Sequence, residues 1–145
     1  MKKSLAILLF ACAAVAVLPS CNTYEDGPGL SFRSKYSRVV NNWKTKTVMR
    51  GLVDVTAWYE DYQIDMREDG RMTLTNRDAL DSLYTIDGFW DLVNDNKDLR
   101  LLYANPPVNP DRVTYQILRL KEDELWIQED QDSVVWEYRF VPVEG

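Results

Sequence analysis

Acidic and amide side chains are the main candidates for chemistry in this sequence. The chain has no His, so neither imidazole acid–base catalysis nor a His-ligated metal is expected. Asn94, Asn96 and Asp98 have the alternate spacing of a calcium-binding loop. Leu99 stands where such a loop needs Gly, and Asn105 stands where it needs Glu. The pattern therefore favours a hairpin turn over a metal site.

A second group of acidic residues flanks one predicted strand. Paired carboxylates hydrolyse glycosidic bonds in many enzymes, but no spacing in this group singles out a pair, and solvated turns account for it. The sequence contains no Gly-x-Ser-x-Gly, no Ser-x-x-Lys and no phosphate-binding Gly loop. We therefore expect no catalytic activity and no cofactor, and an enzyme that uses Asp and Glu is the last of three hypotheses. The group comprises Glu122, Asp123, Glu124, Glu129, Asp130 and Asp132.

The N-terminal segment 1–20 has the composition of a secretory signal. Two lysines precede an uncharged apolar run, Leu5–Leu18, which is 14 residues long. A membrane-spanning helix needs ~20 residues, so the run is too short to be a permanent span. The segment leads into Leu18-Pro19-Ser20-Cys21, which resembles the lipobox of bacterial lipoproteins. The resemblance implies that segment 1–20 is removed and that Cys21 becomes the lipidated first residue.

Removal of segment 1–20 changes the charge and leaves no free thiol. Cys12 and two lysines leave with the segment, and the formal charge falls from −6 to −8. This charge disfavours nucleic acid as a partner and disfavours flat contact with anionic lipid. Residues 21–29 form a polar, turn-rich linker, and residues 30–145 are predicted to form one domain. Because no Asp follows Cys21 directly, the lipoprotein resemblance implies anchoring in the outer membrane, on its periplasmic or cell-surface face.

A short helix followed by strands is predicted for the domain. Apolar side chains at helical spacing predict a helix from about Phe32 to Asn41, with Ser31 as its N-cap. From Trp43 the apolar pattern alternates, and Asp69-Gly70 is typical of a hairpin turn. A regular spacing of about 12 residues per strand and turn favours an antiparallel barrel or sandwich. The predicted strands are Trp43–Met49, Tyr62–Met66, Met72–Asn76, Leu83–Val93, Leu99–Tyr103, Val113–Leu120, Leu125–Asp130 and Ser133–Val141.

Three segments resemble patterns of the lipocalins and of lipocalin-like bacterial lipoproteins. Asn41-Asn42-Trp43 is similar to the lipocalin Gly-x-Trp motif, with Asn41 in the place of the Gly. Residues 88–92, Gly-Phe-Trp-Asp-Leu, look like the Gly-x-Trp-x-Leu hairpin of such lipoproteins, and Ile117–Leu120 with the acidic turn after it is the third match. The resemblance implies an all-β, eight-stranded antiparallel barrel with a short N-terminal helix. It also implies that Trp43 packs across the closed end of this barrel.

The aromatic side chains are the candidates for a binding site. A large aromatic side chain buries ~150–250 Å², and a barrel of eight strands has room for its own side chains or for one small ligand. The interior is therefore either filled or open as a shallow aromatic cup at one end. The residues predicted to face the interior are Trp43, Tyr62, Ile64, Trp90, Leu92, Tyr103, Tyr115, Trp136, Tyr138 and Phe140.

Two hypotheses for function follow from these alternatives. An open cup would hold a small apolar or amphipathic ligand through burial of apolar surface. A filled barrel would serve as a structural or interaction lipoprotein that contacts another envelope protein. Val113–Leu120 carries apolar residues on both faces, with Leu118 and Leu120 opposite Ile117, and predicts a partner surface unless the helix covers it. Trp58-Tyr59, in a predicted loop, is a further candidate for an exposed aromatic site, and packing in the core is the favoured alternative for this pair.

Overall fold

A computed structural model describes residues 33–78, 80–103 and 111–144. The predicted signal segment 1–20, the predicted linker 21–29 and the predicted lipidation site Cys21 lie outside the described residues. No helix within the described ranges has the length and apolar character to cross a bilayer. The elements are α1 (Lys35–Val39), β1 (Asn41–Arg50), β2 (Val53–Asp54), a 3-10 helix (Thr56–Tyr59), β3 (Gln63–Met66), β4 (Arg71–Arg77), β5 (Leu83–Val93), β6 (Asp98–Tyr103), β7 (Asp111–Leu120), β8 (Leu125–Gln131) and β9 (Val134–Pro142).

Eight of the strands close into an antiparallel barrel. Their order is β1-β3-β4-β5-β6-β7-β8-β9, and β9 returns to pair with β1. The closing register runs from Trp43 opposite Pro142 to Arg50 opposite Trp136. β2 lies outside this ring and pairs with the end of β1. The predicted fold, an eight-stranded antiparallel barrel with a short N-terminal helix, is confirmed.

Helix α1 is shorter than the predicted Phe32–Asn41 and begins after Ser34. The Ser34 hydroxyl accepts a hydrogen bond from the Ser37 N–H at 3.1 Å. This bond satisfies one of the amides that the first turn of a helix leaves free. The N-cap is therefore Ser34 and not Ser31, which lies outside the described residues. The helix stops after Val39 because the chain joins β1 at once.

Helix α1 covers one end of the barrel, here called the closed end. Trp43, fully buried at the start of β1, donates from Nε1 to the Val39 carbonyl at 2.8 Å. Arg38 donates from Nη1 to the Leu120 carbonyl, at the end of β7, at 3.0 Å. The helix is therefore held to two strands that lie apart in the ring. The opposite end, where β1 finishes and β9 begins, is here called the mouth.

Apolar side chains fill the barrel below the mouth. No polar or charged residue of the described ranges is fully buried, as expected where desolvation would leave such groups without water. Burial of these side chains is the main favourable contribution to folding. The largest fully buried side chains are Trp43, Phe140, Ile64, Met66, Met72, Leu99, Leu101, Leu120, Leu125, Ile127, Val39 and Val48.

Strand β7 differs from the predicted two-sided apolar surface because it contains a β-bulge. The register of β7 against β8 shifts between Ile117 and Arg119, so Leu118 is an extra residue in the strand. After such an insertion, each following side chain lies on the opposite side of the sheet from the side that simple alternation predicts. Leu120 therefore points inward like Ile117, and both are buried. The interpretation that Leu118 and Leu120 share an outward apolar face is wrong.

Candidate functional site

Aromatic rings converge at the mouth of the barrel. Tyr138 lies at their centre, with its ring centroid 5.8 Å from those of Tyr59 and Tyr115 in edge-to-face contacts. Its centroid is 6.4 Å from those of Tyr62 and Trp136, which stack on it. Both geometries are favourable for aromatic pairs. The name tyrosine cluster is used below for Tyr59, Tyr62, Tyr103, Tyr115 and Tyr138.

Strand alternation and one helical turn position these rings. Trp136 and Tyr138 are alternate residues of β9, so both point to the inside of the barrel. Tyr59 comes from the 3-10 helix, whose end is fixed by a hydrogen bond from the Tyr62 N–H to the Tyr59 carbonyl at 3.0 Å. The predicted loop at Trp58-Tyr59 is thus a short helix. It packs Tyr59 against the core and leaves Trp58 69% exposed.

Glu129 brings a carboxyl group into the tyrosine cluster. It follows Leu125 and Ile127, both buried, at alternate positions of β8 and so faces the barrel interior. Tyr138 donates from its hydroxyl to Glu129 Oε1 at 3.3 Å. Burial raises the pKa of Glu129, and the hydrogen bond from Tyr138 opposes that shift.

The tyrosine hydroxyls around Glu129 stay protonated. Burial is the main cause that raises the pKa of Tyr59, Tyr103, Tyr115 and Tyr138, and the negative charge of Glu129 raises each of them further. The cluster therefore offers hydroxyl groups, ring faces and one carboxyl group. Such an arrangement can bind and orient a molecule, but it provides no phenolate nucleophile at neutral pH.

The residues predicted to face the interior divide into two groups in the structure. One group packs deeper in the barrel, where all but the half-buried Leu92 are buried. The other group belongs to the mouth, where Tyr103 and Trp136 are half-buried. The deeper group is Trp43, Ile64, Trp90, Leu92 and Phe140, and the mouth group is Tyr62, Tyr103, Tyr115, Trp136 and Tyr138.

Sequence reasoning missed two residues of the mouth. Glu129 lies within the predicted strand Leu125–Asp130, but its acidic neighbours favoured a solvated end of that strand, whereas β8 extends to Gln131. The alternation Leu125, Ile127, Glu129 is the signal that could have revealed its inward position. The sequence leaves Trp58-Tyr59 open as an exposed pair or as part of the core, and a single helical turn leaves no periodic pattern that separates the two residues.

A cleft of about 440 Å³ adjoins the mouth between the 3-10 helix and the loop that joins β4 to β5. The exposed ring of Trp58 forms part of its wall. Arg77, the basic residue in the wall of the cleft, forms ion pairs with Asp61 at 2.6 Å and with Asp81 at 3.5 Å. Acidic groups outnumber the cation, so this side of the mouth is negatively charged. The acidic residues of the cleft are Glu60, Asp61, Asp78 and Asp81.

The calcium-like spacing at Asn94, Asn96 and Asp98 belongs to the turn between β5 and β6. Asn94 and Asn96 have left-handed backbone angles, and the Lys97 N–H donates to the Asn94 carbonyl at 3.2 Å. Such angles are typical of tight turns with Asn or Asp. Within the described ranges no group of three or more His, Cys, Asp or Glu side chains could hold a metal ion.

The sequence matches no protein-family model and no curated protein. The structure is similar to the crystal structure of a lipocalin-like protein from Bacteroides uniformis, with a TM-score of 0.54 and 11% sequence identity. The match covers 73% of this chain and 99% of that chain. The fold is lipocalin-like. An uncharacterized protein from Bacteroides eggerthii has a TM-score of 0.52 and 8% identity, over 72% of this lipocalin-like chain and 98% of its own.

Proposed function

We propose that the protein is a lipid-anchored envelope lipoprotein whose lipocalin-like domain binds a small apolar or amphipathic molecule at the mouth without converting it. One observation carries the proposal: Tyr59, Tyr103, Trp136 and Glu129 are half-buried there, above a packed interior. Small-molecule sites commonly combine aromatic walls with a few polar groups. A ligand would therefore sit in the mouth as in a shallow cup, and its ring or chain would cover these side chains.

The path of the chain is consistent with an anchor at the closed end. Arg33, the first described residue, forms an ion pair with Glu122 in the turn between β7 and β8, beside α1. Cys21 precedes Arg33 by 12 residues, and an extended segment of that length reaches ~40 Å. A lipid on Cys21 would therefore hold the domain by its closed end and leave the mouth open to the surrounding solution.

Ligand binding is tested by titration with N-phenyl-1-naphthylamine, a neutral probe that fluoresces in apolar surroundings. Trp136→Ala should weaken binding about fivefold or more, because it removes a ring face from the mouth. Phe89→Ala is the matched control, since Phe89 is 56% exposed on the outer wall of β5, and it should bind like wild type. Equal affinity of the two variants, or no binding to the folded wild type, would contradict the proposal.

Native mass spectrometry provides the second measurement. The protein is released from its own envelope in mild detergent, and its mass is compared with that of the same chain after denaturation and refolding. A small molecule that accompanies wild type and Phe89→Ala, but not Trp136→Ala, would identify the ligand directly. Loss of the molecule from both variants would contradict binding at the mouth.

Exposed apolar side chains around the mouth favour a second function, contact with another envelope protein. They are here called the rim patch and lie on connections and on β2, the 3-10 helix and the start of β5, where Leu52 is 99% and Leu80 86% exposed. Exposed apolar patches commonly mark interaction sites. A photo-crosslinking residue at Leu52 should yield a protein adduct in the native envelope that the same residue at Phe89 does not. The rim patch comprises Leu52, Val53, Trp58, Leu80 and Leu83.

A further inference from the structure

The carboxyl group of Glu129 is the unusual feature of the mouth. It lies among aromatic rings, and its hydrogen bond from Tyr138 is long, at 3.3 Å. A partly desolvated carboxylate is normally stabilised by a cation or by several hydrogen bonds. Glu129 is half-buried here and faces the rings, so a ligand could supply the positive charge that this position favours.

The rings beside Glu129 are suited to a cation. The face of an aromatic ring carries negative charge density and attracts ammonium and guanidinium groups within about 6 Å of the ring centre. The guanidinium carbon of Arg50 already lies 5.5 Å from the Trp136 centroid. The mouth thus holds a cation on one of its rings. The ring of Tyr138 contacts that of Tyr59 edge to face, with centroids 5.8 Å apart, and the Tyr138 hydroxyl donates to Glu129.

The charged residues around the mouth also favour a positively charged ligand. The adjoining cleft carries Glu60, Asp61, Asp78 and Asp81, and Arg77 is paired within it. A cleft of one charge sign raises the local concentration of oppositely charged ligands and repels those of like charge. A molecule with a carboxylate or phosphate head is therefore disfavoured here, and one with a positively charged head is favoured.

From these three observations we infer that the mouth selects ligands that carry an organic cation, an ammonium or quaternary ammonium group, held between Glu129 and the rings of Tyr59, Tyr138 and Trp136. The inference rests on the proposed function and adds the charge class of the ligand. The apolar part of the ligand would cover the remaining ring surface and the rim patch.

The test compares two probes of nearly equal shape. Phenyltrimethylammonium and tert-butylbenzene differ in the charge of one central atom, and each is titrated as a competitor of N-phenyl-1-naphthylamine. For wild type, the cation should displace the probe at a concentration about tenfold lower than the neutral compound. Glu129→Gln should bring the two concentrations within about twofold. Asp130→Asn removes the same charge from the neighbouring residue, which is exposed on the outer side of β8, and should keep the preference.

A measurement on wild type makes the test independent of how well the variants fold. In a proton–nitrogen correlation spectrum, phenyltrimethylammonium should shift the indole signal of Trp136. The indole of Trp126 is the internal control, because Arg119 and Arg139 already lie over its ring on the outer wall, at 4.7 and 4.3 Å. An unchanged Trp136 signal at saturating cation would overturn the inference.

The outcomes separate the inference from the proposed function. If N-phenyl-1-naphthylamine binds but the cation competes no better than tert-butylbenzene, the inference fails and ligand binding stands. If Glu129→Gln and Asp130→Asn reduce the preference equally, Glu129 has no specific part and the inference is wrong. If the neutral probe does not bind to the folded protein, the proposed function and the inference are both overturned.

Discussion

Tyr36 of α1 stacks on Trp90 of β5, with the two ring centroids 4.6 Å apart. Trp90 is 3% exposed, and its Nε1 donates to the Arg67 carbonyl at 3.0 Å, in the turn between β3 and β4. One indole therefore contacts the helix, its own strand and a neighbouring hairpin. This indole therefore adds to the hydrogen bonds that join the same three parts of the chain, from the Trp90 backbone N–H to the Gly70 carbonyl and from the Tyr36 hydroxyl to the Glu68 carbonyl.

We predict that Trp90→Ala lowers the free energy of unfolding by ~3–5 kcal/mol, because it leaves a cavity and an unpaired carbonyl. Phe89→Ala, one residue away and facing outward, should cost less than ~1 kcal/mol. Urea denaturation of both variants measures the difference. A loss below ~1 kcal/mol for Trp90→Ala would mean that the indole is not part of the packed interior.

Gly88→Ala should destabilise the barrel through a backbone clash. A Cβ at this position would lie 2.2 Å from the carbonyl oxygen of Leu102 and 2.9 Å from Met72 Cε. Met72 can move, but the carbonyl belongs to β6 and cannot, so we expect a loss of ~1–3 kcal/mol or more. When Gly88→Ala is added to the Met72→Ala variant, calorimetry should show the same loss of stability as in the wild-type protein. If that background removed the effect, the flexible side chain and not the backbone would be the obstacle.

Glu129→Gln should make the fold more stable at neutral pH. Burial raises the pKa of Glu129 in the folded state, so the ionised carboxyl lowers stability above that pKa. Because the group is partly solvated, the gain should be less than ~1 kcal/mol. It should vanish as the pH falls below ~4.3, the ordinary value for Glu, since the wild-type carboxyl is then protonated in both states. The groups that face it are Tyr59, Tyr103, Tyr115 and Tyr138, whose raised pKa values keep them protonated in this range, and the guanidinium group of Arg50 lies over the neighbouring Trp136 ring.

Thermal unfolding of wild type and Glu129→Gln between neutral pH and pH ~4 measures this effect. Asp130→Asn is the control for the change in total charge. A stability difference that grows as the pH falls would have the opposite sign and would contradict a raised pKa in the folded state.

Cys21→Ala should abolish lipidation and leave the domain folded. Cys21 lies outside the described barrel, and its thiol is the predicted attachment point of the lipid. In Triton X-114 phase separation, wild type should enter the detergent phase and Cys21→Ala the aqueous phase. Cys12→Ala, in the apolar run of the signal segment, is the matched control and should behave like wild type. A Cys21→Ala protein that still enters the detergent phase would contradict the lipoprotein proposal.

The sequence predicts the barrel wherever the alternation of a strand is uninterrupted. In β5, Gly88 and Trp90 are buried and Phe89 is exposed, because successive side chains of a strand point to opposite faces of the sheet. The bulges escaped prediction because one inserted residue reverses the pattern without any mark of its own. In β1, a register shift between Thr45 and Thr47 allows Trp43 and Val48 to be buried together.

The mouth was harder to predict than the wall. Glu129 lies in the predicted strand but precedes Asp130 and Asp132, so local composition indicates a solvated strand end and conflicts with the alternation that points its side chain inward. Tyr59 reaches the mouth from a connection between strands, where neither period two nor period 3.6 applies. Sites assembled from strand ends and connections depend on tertiary contacts that a single sequence does not encode in a periodic form.

Because β1 pairs with β9, the barrel can close only at the end of synthesis of the chain. Trp43 lies opposite Pro142 in this pairing, so the ring of eight strands cannot close until β9 has been synthesised. Contacts between distant parts of a chain slow folding, and an unpaired strand edge invites association with other chains. During synthesis, which begins at the N-terminus, the edges of β1 and β8 would therefore stay open until residues 134–142 emerge, and a chain cut before Val134 would never cover them.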